Sequence, residues 1–200
     1  MNLINVVAIL SAVIAIIVFL IPFATYFRRN ISVRMGMNET YLSVESRLSN
    51  YFDKSKQSIH IVGVTLWNIF GRKESSIYKS LVNAALRGIK IRILILDPEL
   101  KLDIKEPDLV YYTDHKKLAK QITIKTYLEL KNNYPNIDLE LRYYKPYITY
   151  SFIIADDTVF MSERHSPDSH RYFIISQSKA LSQKLSNNFS KLWKTAIEVR

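Results

Sequence analysis

The first feature of the pattern is a nearly uninterrupted apolar run near residues 4–27. Within the stretch Val6–Phe27, Ser11 and Thr25 are the clearly polar side chains, so a helix here has no polar face. A helix packed on a soluble core would normally keep such a face. About 22 helical residues span roughly 33 Å, enough for a hydrocarbon core of about 30 Å. The run predicts one transmembrane helix.

The residues on either side of this run distinguish a membrane anchor from a cleaved signal peptide. They also predict the orientation of the anchor. A cleaved signal peptide would be shorter, would begin with Lys or Arg and would end in an A-x-A site, and the sequence has none of these features. Arg28, Arg29 and Arg34 follow the run, and positive residues stay inside. We expect a single-pass cell-membrane protein whose C-terminal domain is cytoplasmic. The same arginines can rest against anionic headgroups, which makes membrane lipids an expected partner.

After the anchor, the hydrophobic period changes repeatedly between the helical and the extended value. Apolar residues three and four apart predict helices over 38–56, 74–87, 114–133 and 178–197. Alternating or continuous apolar runs rich in β-branched residues predict strands over 59–66, 89–96, 137–144, 150–155, 158–162 and 171–176.

The order of these elements predicts the fold class. A strand, a helix and a second strand, which alternates at first and is then continuously apolar, follow one another between 59 and 96, with Gly88 as the helix C-terminal cap. This is typical of a parallel βαβ unit, so we expect an α/β domain with a mixed central sheet flanked by helices. The predicted organisation is an anchor over 1–30, a juxtamembrane helix or linker over 31–44 and one domain over 45–200.

Composition and charge narrow the function classes. The absence of cysteine removes thiolate catalysis, disulfides and thiolate zinc sites. The formal net charge is +10, and no charged residue precedes Arg28, so the excess lies on the soluble part. Lipid headgroups and nucleic acid are the natural anionic neighbours. Because Lys and Arg are spread along the chain, a generally basic surface without a dedicated partner is the simpler interpretation.

Two polar groups could carry chemistry, and each also has a plain structural interpretation. Asp156 and Asp157 could form an acid/base pair or a metal site, but a strand-connecting turn is favoured because Asp side chains bond turn backbone well. His165, Asp168 and His170 fit no established metal-ligand spacing and are interpreted as a surface loop. We therefore predict no metal and no cofactor.

The remaining aromatic and histidine candidates are weighed in the same way. His60 lies inside a predicted strand and is interpreted as a satisfied core or face residue. His115 begins an H-x-K pattern that falls in a predicted helix start and arises easily by chance. Trp193 continues an apolar helical stripe and is assigned to the core, whereas Trp67 follows the first predicted strand of the domain and could line a pocket.

Four segments together resemble the phospholipase D-like superfamily. They read LVNAALRGIKIRILILDP, IDLELRYY, SFIIADDTVFMS and FSKLWKTA. The resemblance spans 45–197, and the order of elements carries more of it than any single segment. It implies a phospholipase D-like domain. Active members with a single motif pair two copies to build one site, so the resemblance also implies that a homodimer can form.

The chain departs from this family at the residues that perform its chemistry. Active members carry H-x-K-x-x-x-x-D, in which His attacks phosphorus and Lys holds phosphate oxygens. Aligned on IIADDTVF, these positions hold Thr149, Ser151 and Asp156. In the G-S-x-N element that follows, Ser162 is kept and Arg164 replaces Asn. A Thr hydroxyl is not nucleophilic without an activating base, so the family mechanism of phosphodiester cleavage is not expected.

These residues still suggest a ligand pocket. Ligands of open sheets with parallel strands collect beyond the carboxyl ends of the strands. The residues expected there share hydroxyl, aromatic or charged side chains: Thr65, Trp67, Asp97, Thr149, Ser151, Asp156, Ser162 and Arg164.

The apolar run, the changed catalytic positions and this pocket together predict a membrane-anchored, non-catalytic domain. It would bind a phosphate-containing ligand, an anionic lipid or a protein partner. One alternative is an active phosphodiesterase, either a nuclease or a phospholipase, that completes its site differently. A nucleic-acid-binding module is the third class.

Overall fold

The computed structural model describes residues 34–36, 41–100, 108–145, 150–163 and 173–199. Its strands form one eight-stranded sheet in the order β1-β7-β6-β5-β2-β3-β4-β8. The strands are β1 Arg34–Gly36, β2 Ser58–Gly63, β3 Lys90–Leu96, β4 Leu139–Tyr144, β5 Tyr150–Ala155, β6 Thr158–Glu163, β7 Phe173–Ser176 and β8 Ile197–Glu198. The helices are α1 Tyr41–Lys54, α2 Trp67–Phe70, α3 Ser76–Leu86, α4 Asp108–Asn133 and α5 Lys179–Thr195.

The sheet is mixed, as the sequence predicts. β2 pairs in parallel with β3, and β3 in parallel with β4, whereas the other neighbours are antiparallel. Helix α3 connects β2 to β3, which confirms the predicted parallel βαβ unit. Ser75 caps this helix by accepting a hydrogen bond from the Tyr78 backbone N–H, and Gly88 follows it with a φ of 82°. A left-handed residue at this position suits glycine, because it has no Cβ to clash.

Each face of the sheet buries its own apolar cluster, because successive strand side chains point to opposite faces. One face, with Ile61 and Ile93, packs against α1, α3 and α4. The other face, with Val62 and Leu94, packs against α5 through Phe189. Strand β3 is buried along both faces after Lys90, which explains its continuous apolar run from Ile93 to Leu96.

Sequence and structure differ most at short elements and element ends. The strands β1 and β8 and the helix α2 were not predicted, since two to four residues give no measurable period. Strand β2 ends at Gly63 instead of continuing to position 66, because Leu66 has a φ of 52° and turns the chain into α2. Helix α4 begins at Asp108, six residues before the predicted start, so His115 lies within the helix and not at its beginning.

The region between the predicted anchor and the domain is described only in part. The segment 4–27, Arg28 and Arg29 lie outside the described residues. In the part of the chain that the structure describes, no helix is both long and apolar enough to cross a bilayer. Within the predicted linker 31–44, β1 joins the sheet beside β7, so part of this linker contributes to the domain fold.

Candidate functional site

The candidate site lies beyond the carboxyl end of β2, where two serines lie side by side on neighbouring strands. Ser151 on β5 pairs directly with Ser162 on β6. Both are half-buried, and neither hydroxyl has a hydrogen-bond partner among the described residues. By strand alternation they lie on the face of the sheet that carries α1, α3 and α4. The structure therefore brings these two predicted site residues together.

A tight turn after β2 forms the wall next to the serines. Leu66 has the left-handed backbone conformation, with φ 52° and ψ 24°, and its carbonyl accepts the first hydrogen bonds of α2 from Ile69 and Phe70. Its side chain occupies the space above Gly63. A Cβ at position 63 would lie 2.3 Å from Leu66 Cδ2 and 3.9 Å from Ser151 Oγ. A non-glycine residue in this conformation is unfavourable and is often found at functional sites.

Thr65 and Trp67, also predicted for this site, lie in the same turn. The Thr65 hydroxyl accepts a hydrogen bond from the Trp67 backbone N–H at 3.4 Å, and the Thr65 carbonyl accepts one from the buried Thr123 hydroxyl on α4. The Trp67 side chain is 39% exposed. Its ring lies over Gly71, where an added Cβ would be 2.4 Å from Cδ2. The ring is thus held in place while one side stays open to solvent.

Asp97, at the carboxyl end of β3, is occupied by local contacts. Its carboxylate Oδ1 accepts a hydrogen bond from the Glu99 backbone N–H at 2.9 Å. Its carbonyl accepts one from Lys120 Nζ at 3.2 Å, and Lys120 is 7% exposed. Sequence reasoning missed this buried lysine. The signal was present, because Lys120 and Thr123 are three residues apart on α4 and share the face that reaches the ends of β2 and β3.

Asp156 lies at the opposite end of β5 from Ser151. Five residues of strand separate the two positions by about 16 Å. The Asp156 carboxylate accepts hydrogen bonds from the backbone N–H groups of Lys56, Gln57 and Ser58, at 2.9, 3.0 and 3.0 Å. Its φ is 50°, and it forms the turn between β5 and β6. Asp156 thus fixes the start of β2, as the turn interpretation expects, and does not share the space around Ser151.

Several other predicted residues cannot be located in this way. Three sets of predicted residues lie outside the described ranges: Thr149 with Arg164, the group His165, Asp168 and His170, and the arginines Arg28 and Arg29. Arg34 lies in β1 and pairs with Ile175 through the backbone. Among the described residues, no three His, Cys, Asp or Glu side chains come together in a way that could hold a metal ion.

His60 lies on the other face of the sheet, away from the serines. Its ring stacks on Phe189 with centroids 4.5 Å apart and planes 6° apart. Its buried Nδ1 has no hydrogen-bond partner among the described residues, which corrects the expectation of a satisfied histidine. Burial, assisted by the positive charges of Arg92 and Lys90, lowers the pKa of His60 to about 4. At neutral pH this imidazole is uncharged, and it does not face the candidate site.

Comparison with known proteins identifies the fold. Among the solved structures that the chain resembles is Nuc from Salmonella typhimurium, a phospholipase D family member, with a TM-score of 0.52 and 16% identity over 84% of this chain and 98% of Nuc. NucT from Helicobacter pylori gives a TM-score of 0.53 and 14% identity over 84% of this chain and 99% of NucT. TrmBL2, an archaeal chromatin protein, gives 0.52 and 15% identity over 98% of this chain and 66% of TrmBL2.

These likenesses show a phospholipase D-like fold, which confirms the fold that the sequence resemblance implies. No protein-family model matches the chain, and no curated protein matches its sequence. The fold likeness covers 84–98% of this chain, but identities of 14–16% carry no site residue across by themselves.

Proposed function

Starting from a phospholipase D-like fold, we propose that this chain is a membrane-anchored, non-catalytic domain that binds a phosphate-containing ligand beside Ser151. The observation that carries the proposal is the facing pair Ser151 and Ser162. The two residues are half-buried, and neither hydroxyl has a hydrogen-bond partner among the described residues. Hydroxyls without an internal partner are free to donate to a ligand, and a charged phosphate oxygen accepts strong hydrogen bonds from such donors.

The surroundings of the serines suit binding better than cleavage. In the resemblance, Ser151 stands where active members have the phosphate-binding Lys, and Thr149 stands where they have the nucleophilic His. His60, the one histidine whose side chain the structure describes, lies on the opposite face with a pKa lowered by burial to about 4. A neutral hydroxyl can hold a phosphate, but without a base it attacks phosphorus poorly. Active phosphodiester cleavage therefore stays the alternative.

The direct test measures ligand binding to the full chain in detergent. Titrate inorganic phosphate, a mononucleotide, single-stranded DNA and the soluble headgroup glycerol phosphate, and compare the wild type with Ser151→Ala and Ser162→Ala. Each variant should weaken binding of the preferred ligand about tenfold, since one hydrogen bond to a charged group is worth roughly 1.5 kcal/mol. Ser190→Ala, on the exposed side of α5, is the matched control and should bind normally. Binding that survives both substitutions would place the ligand elsewhere.

A second test addresses catalysis. Assay the full chain against single-stranded DNA, RNA, phosphatidylcholine and a chromogenic phosphodiester. We expect no turnover above background, and no rescue in the double variant Thr149→His, Ser151→Lys, because a site without its supporting residues loses most of its rate. Turnover that disappears with Thr149→Ala or Ser151→Ala would instead support the alternative enzyme function.

The proposed topology rests on the apolar segment 4–27 and on Arg28, Arg29 and Arg34. Fuse to Arg200 either a reporter that works only in the cytoplasm or one that works only after export. Activity of the cytoplasmic reporter is expected. Activity of the exported reporter would reverse the orientation, and loss of membrane attachment on deleting 4–27 would support the anchor.

A homodimer remains a further proposal that rests on the family resemblance alone. Sedimentation of the full chain in detergent would measure its oligomeric state.

A further inference from the structure

Helix α5 presents an exposed face that carries only positive charge. The helix contains four lysines and no aspartate or glutamate. All four are exposed: Lys179, Lys184, Lys191 and Lys194. Neutral polar side chains lie between them, at Gln183, Asn187, Asn188 and Ser190, whereas Phe189 on the other side is buried against the sheet. We call these four lysines and four neutral residues the lysine face.

No other described helix has this composition. Helix α1 carries two acidic and two basic residues, and α4 carries five lysines together with two aspartates and one glutamate. Helix α3 has one lysine, Lys79, which pairs with Glu74 at 3.5 Å. None of the four lysines on α5 forms an ion pair with a described carboxylate. The lysine face is therefore an uncompensated patch, whereas the charges on the other described helices are mixed or paired.

The basic residues beneath α5 behave differently. Arg92 pairs with Asp138 at 2.6 Å and with Glu140 at 2.9 Å, and Arg142 pairs with Glu140 at 3.1 Å. The Trp193 ring is turned inward, with the Arg142 guanidinium 4.3 Å from its centroid. These arginines are neutralised inside the domain, and the tryptophan is not available for stacking on a base. The outward charge of α5 comes from flexible lysines alone.

The position of α5 in the fold relates it to the N-terminal segment. The backbone of Arg34 pairs with Ile175, so the two Cα atoms lie about 5 Å apart. Lys179 comes four residues after Ile175, within about 14 Å. Phe27, the last residue of the apolar run, is seven residues before Arg34 and can lie at most about 25 Å from it. The beginning of α5 and the entry of the chain from the anchor share one corner of the sheet.

We propose that the lysine face docks on an anionic bilayer surface beside the anchor, an inference that rests on the proposed membrane attachment. An anionic leaflet attracts juxtamembrane lysines without requiring a fixed geometry for each contact. Nucleic acid fits less well. The helix has no arginine for bidentate phosphate contacts and no outward aromatic ring for base stacking. Docking here would hold the domain in one orientation on the membrane.

The experiment uses the full chain in lipid nanodiscs and exploits its lack of cysteine. Introduce a single labelled cysteine by Asn187→Cys on the lysine face, or by Gln121→Cys on α4 as the opposite-face control. Measure energy transfer to a headgroup dye in phosphatidylcholine discs with and without phosphatidylserine. Transfer from position 187 should rise with phosphatidylserine and fall at high salt, whereas transfer from position 121 should not rise.

Charge-matched variants decide whether the lysines cause the effect. Replacing Lys179, Lys184, Lys191 and Lys194 with Gln should lower the ratio of docked to undocked chains more than about tenfold, since one lysine near the surface is worth about fivefold. The control replaces four exposed lysines elsewhere with Gln: Lys54, Lys56, Lys117 and Lys125. It makes the same change in net charge and should keep docking.

Each other outcome contradicts the inference in a distinct way. Incorporation into neutral discs without any response to phosphatidylserine would overturn docking but keep the anchor. Failure to enter neutral discs would overturn the anchor and the docking geometry together. If the four Lys→Gln changes abolish binding of a DNA oligonucleotide but leave the energy transfer unchanged, the lysine face binds nucleic acid instead.

Discussion

The two ends of β5 use polar residues in opposite ways. At its Ala155 end, Asp156 accepts three backbone hydrogen bonds and so joins the start of β2 to the β5–β6 turn. At its Tyr150 end, the Ser151 and Ser162 hydroxyls have no partner among the described residues and lie beside a left-handed Leu66. The first arrangement stabilises the fold, whereas the second leaves hydrogen-bonding capacity for a ligand. A charged residue in a sequence motif can therefore have a structural role.

The largest expected effect is at the structural end. Asp156→Ala removes the acceptor of three backbone N–H groups and places alanine at a φ of 50°. We expect it to lower the free energy of unfolding by about 2–4 kcal/mol, as measured by thermal or urea unfolding of the full chain in detergent. In Asp156→Asn the asparagine tolerates this φ and keeps one acceptor oxygen. The decrease in the free energy of unfolding should therefore be about half as large. The exposed neighbour Asp157→Ala should change stability little.

The turn beside the serines gives the next largest effect. In Gly63→Ala the new Cβ would meet Leu66 Cδ2 at 2.3 Å, so the Leu66 side chain must move. Overpacking of this kind costs about 1–3 kcal/mol, and the same change should weaken ligand binding because the wall next to Ser151 shifts. Gly88→Ala is the comparison, since its φ of 82° is strained for alanine but nothing lies within 4 Å. It should destabilise the chain without changing ligand affinity.

His60, on the opposite face of the sheet, should make the stability of the fold depend on pH. The pKa of His60 is lowered from its ordinary value of 6.5 to about 4, by burial and by Arg92 and Lys90. Between these two values the unfolded chain binds one more proton, so stability is complete above pH 6.5 and decreases as the pH falls towards 4. His60→Phe keeps the stacking on Phe189 and should flatten this part of the curve. An unchanged slope in that variant would assign the effect to other groups.

The smallest expected effect on stability belongs to the serines. Ser151→Ala and Ser162→Ala remove hydroxyls without a described partner, so we expect changes within about 0.5 kcal/mol. The comparison between the two ends of β5 predicts that these variants lose ligand affinity at constant stability. A loss of more than about 2 kcal/mol would mean that the hydroxyls have structural partners after all.

The sequence predicts the elements well where a long period exists. The parallel pair β2 and β3 with α3 between them follows from β-branched runs, a helical stripe and Gly88. The contact of Asp156 with Lys56 and Ser58 joins residues about 100 positions apart, and no local pattern indicates it. The same reason limits what the sequence says about the surroundings of the candidate site. Strand spacing brings Ser151 and Ser162 together, but Lys120 reaches the Asp97 carbonyl after β3 only through the packing of α4 on the sheet.

The edges of the sheet have a consequence for aggregation. The outermost strands, β1 and β8, contain three and two residues, whereas their inner neighbours β7 and β4 contain four and six. Such short terminal strands give an incoming strand few backbone groups to pair with, and this limits templated growth of β-structure between copies. β4 is protected by β8 only at Arg142 and Tyr143, with one further bond from Val199 to Leu141. Fraying of the C-terminus would expose that edge first, so truncation before Ile197 should promote intermolecular β-sheet aggregation.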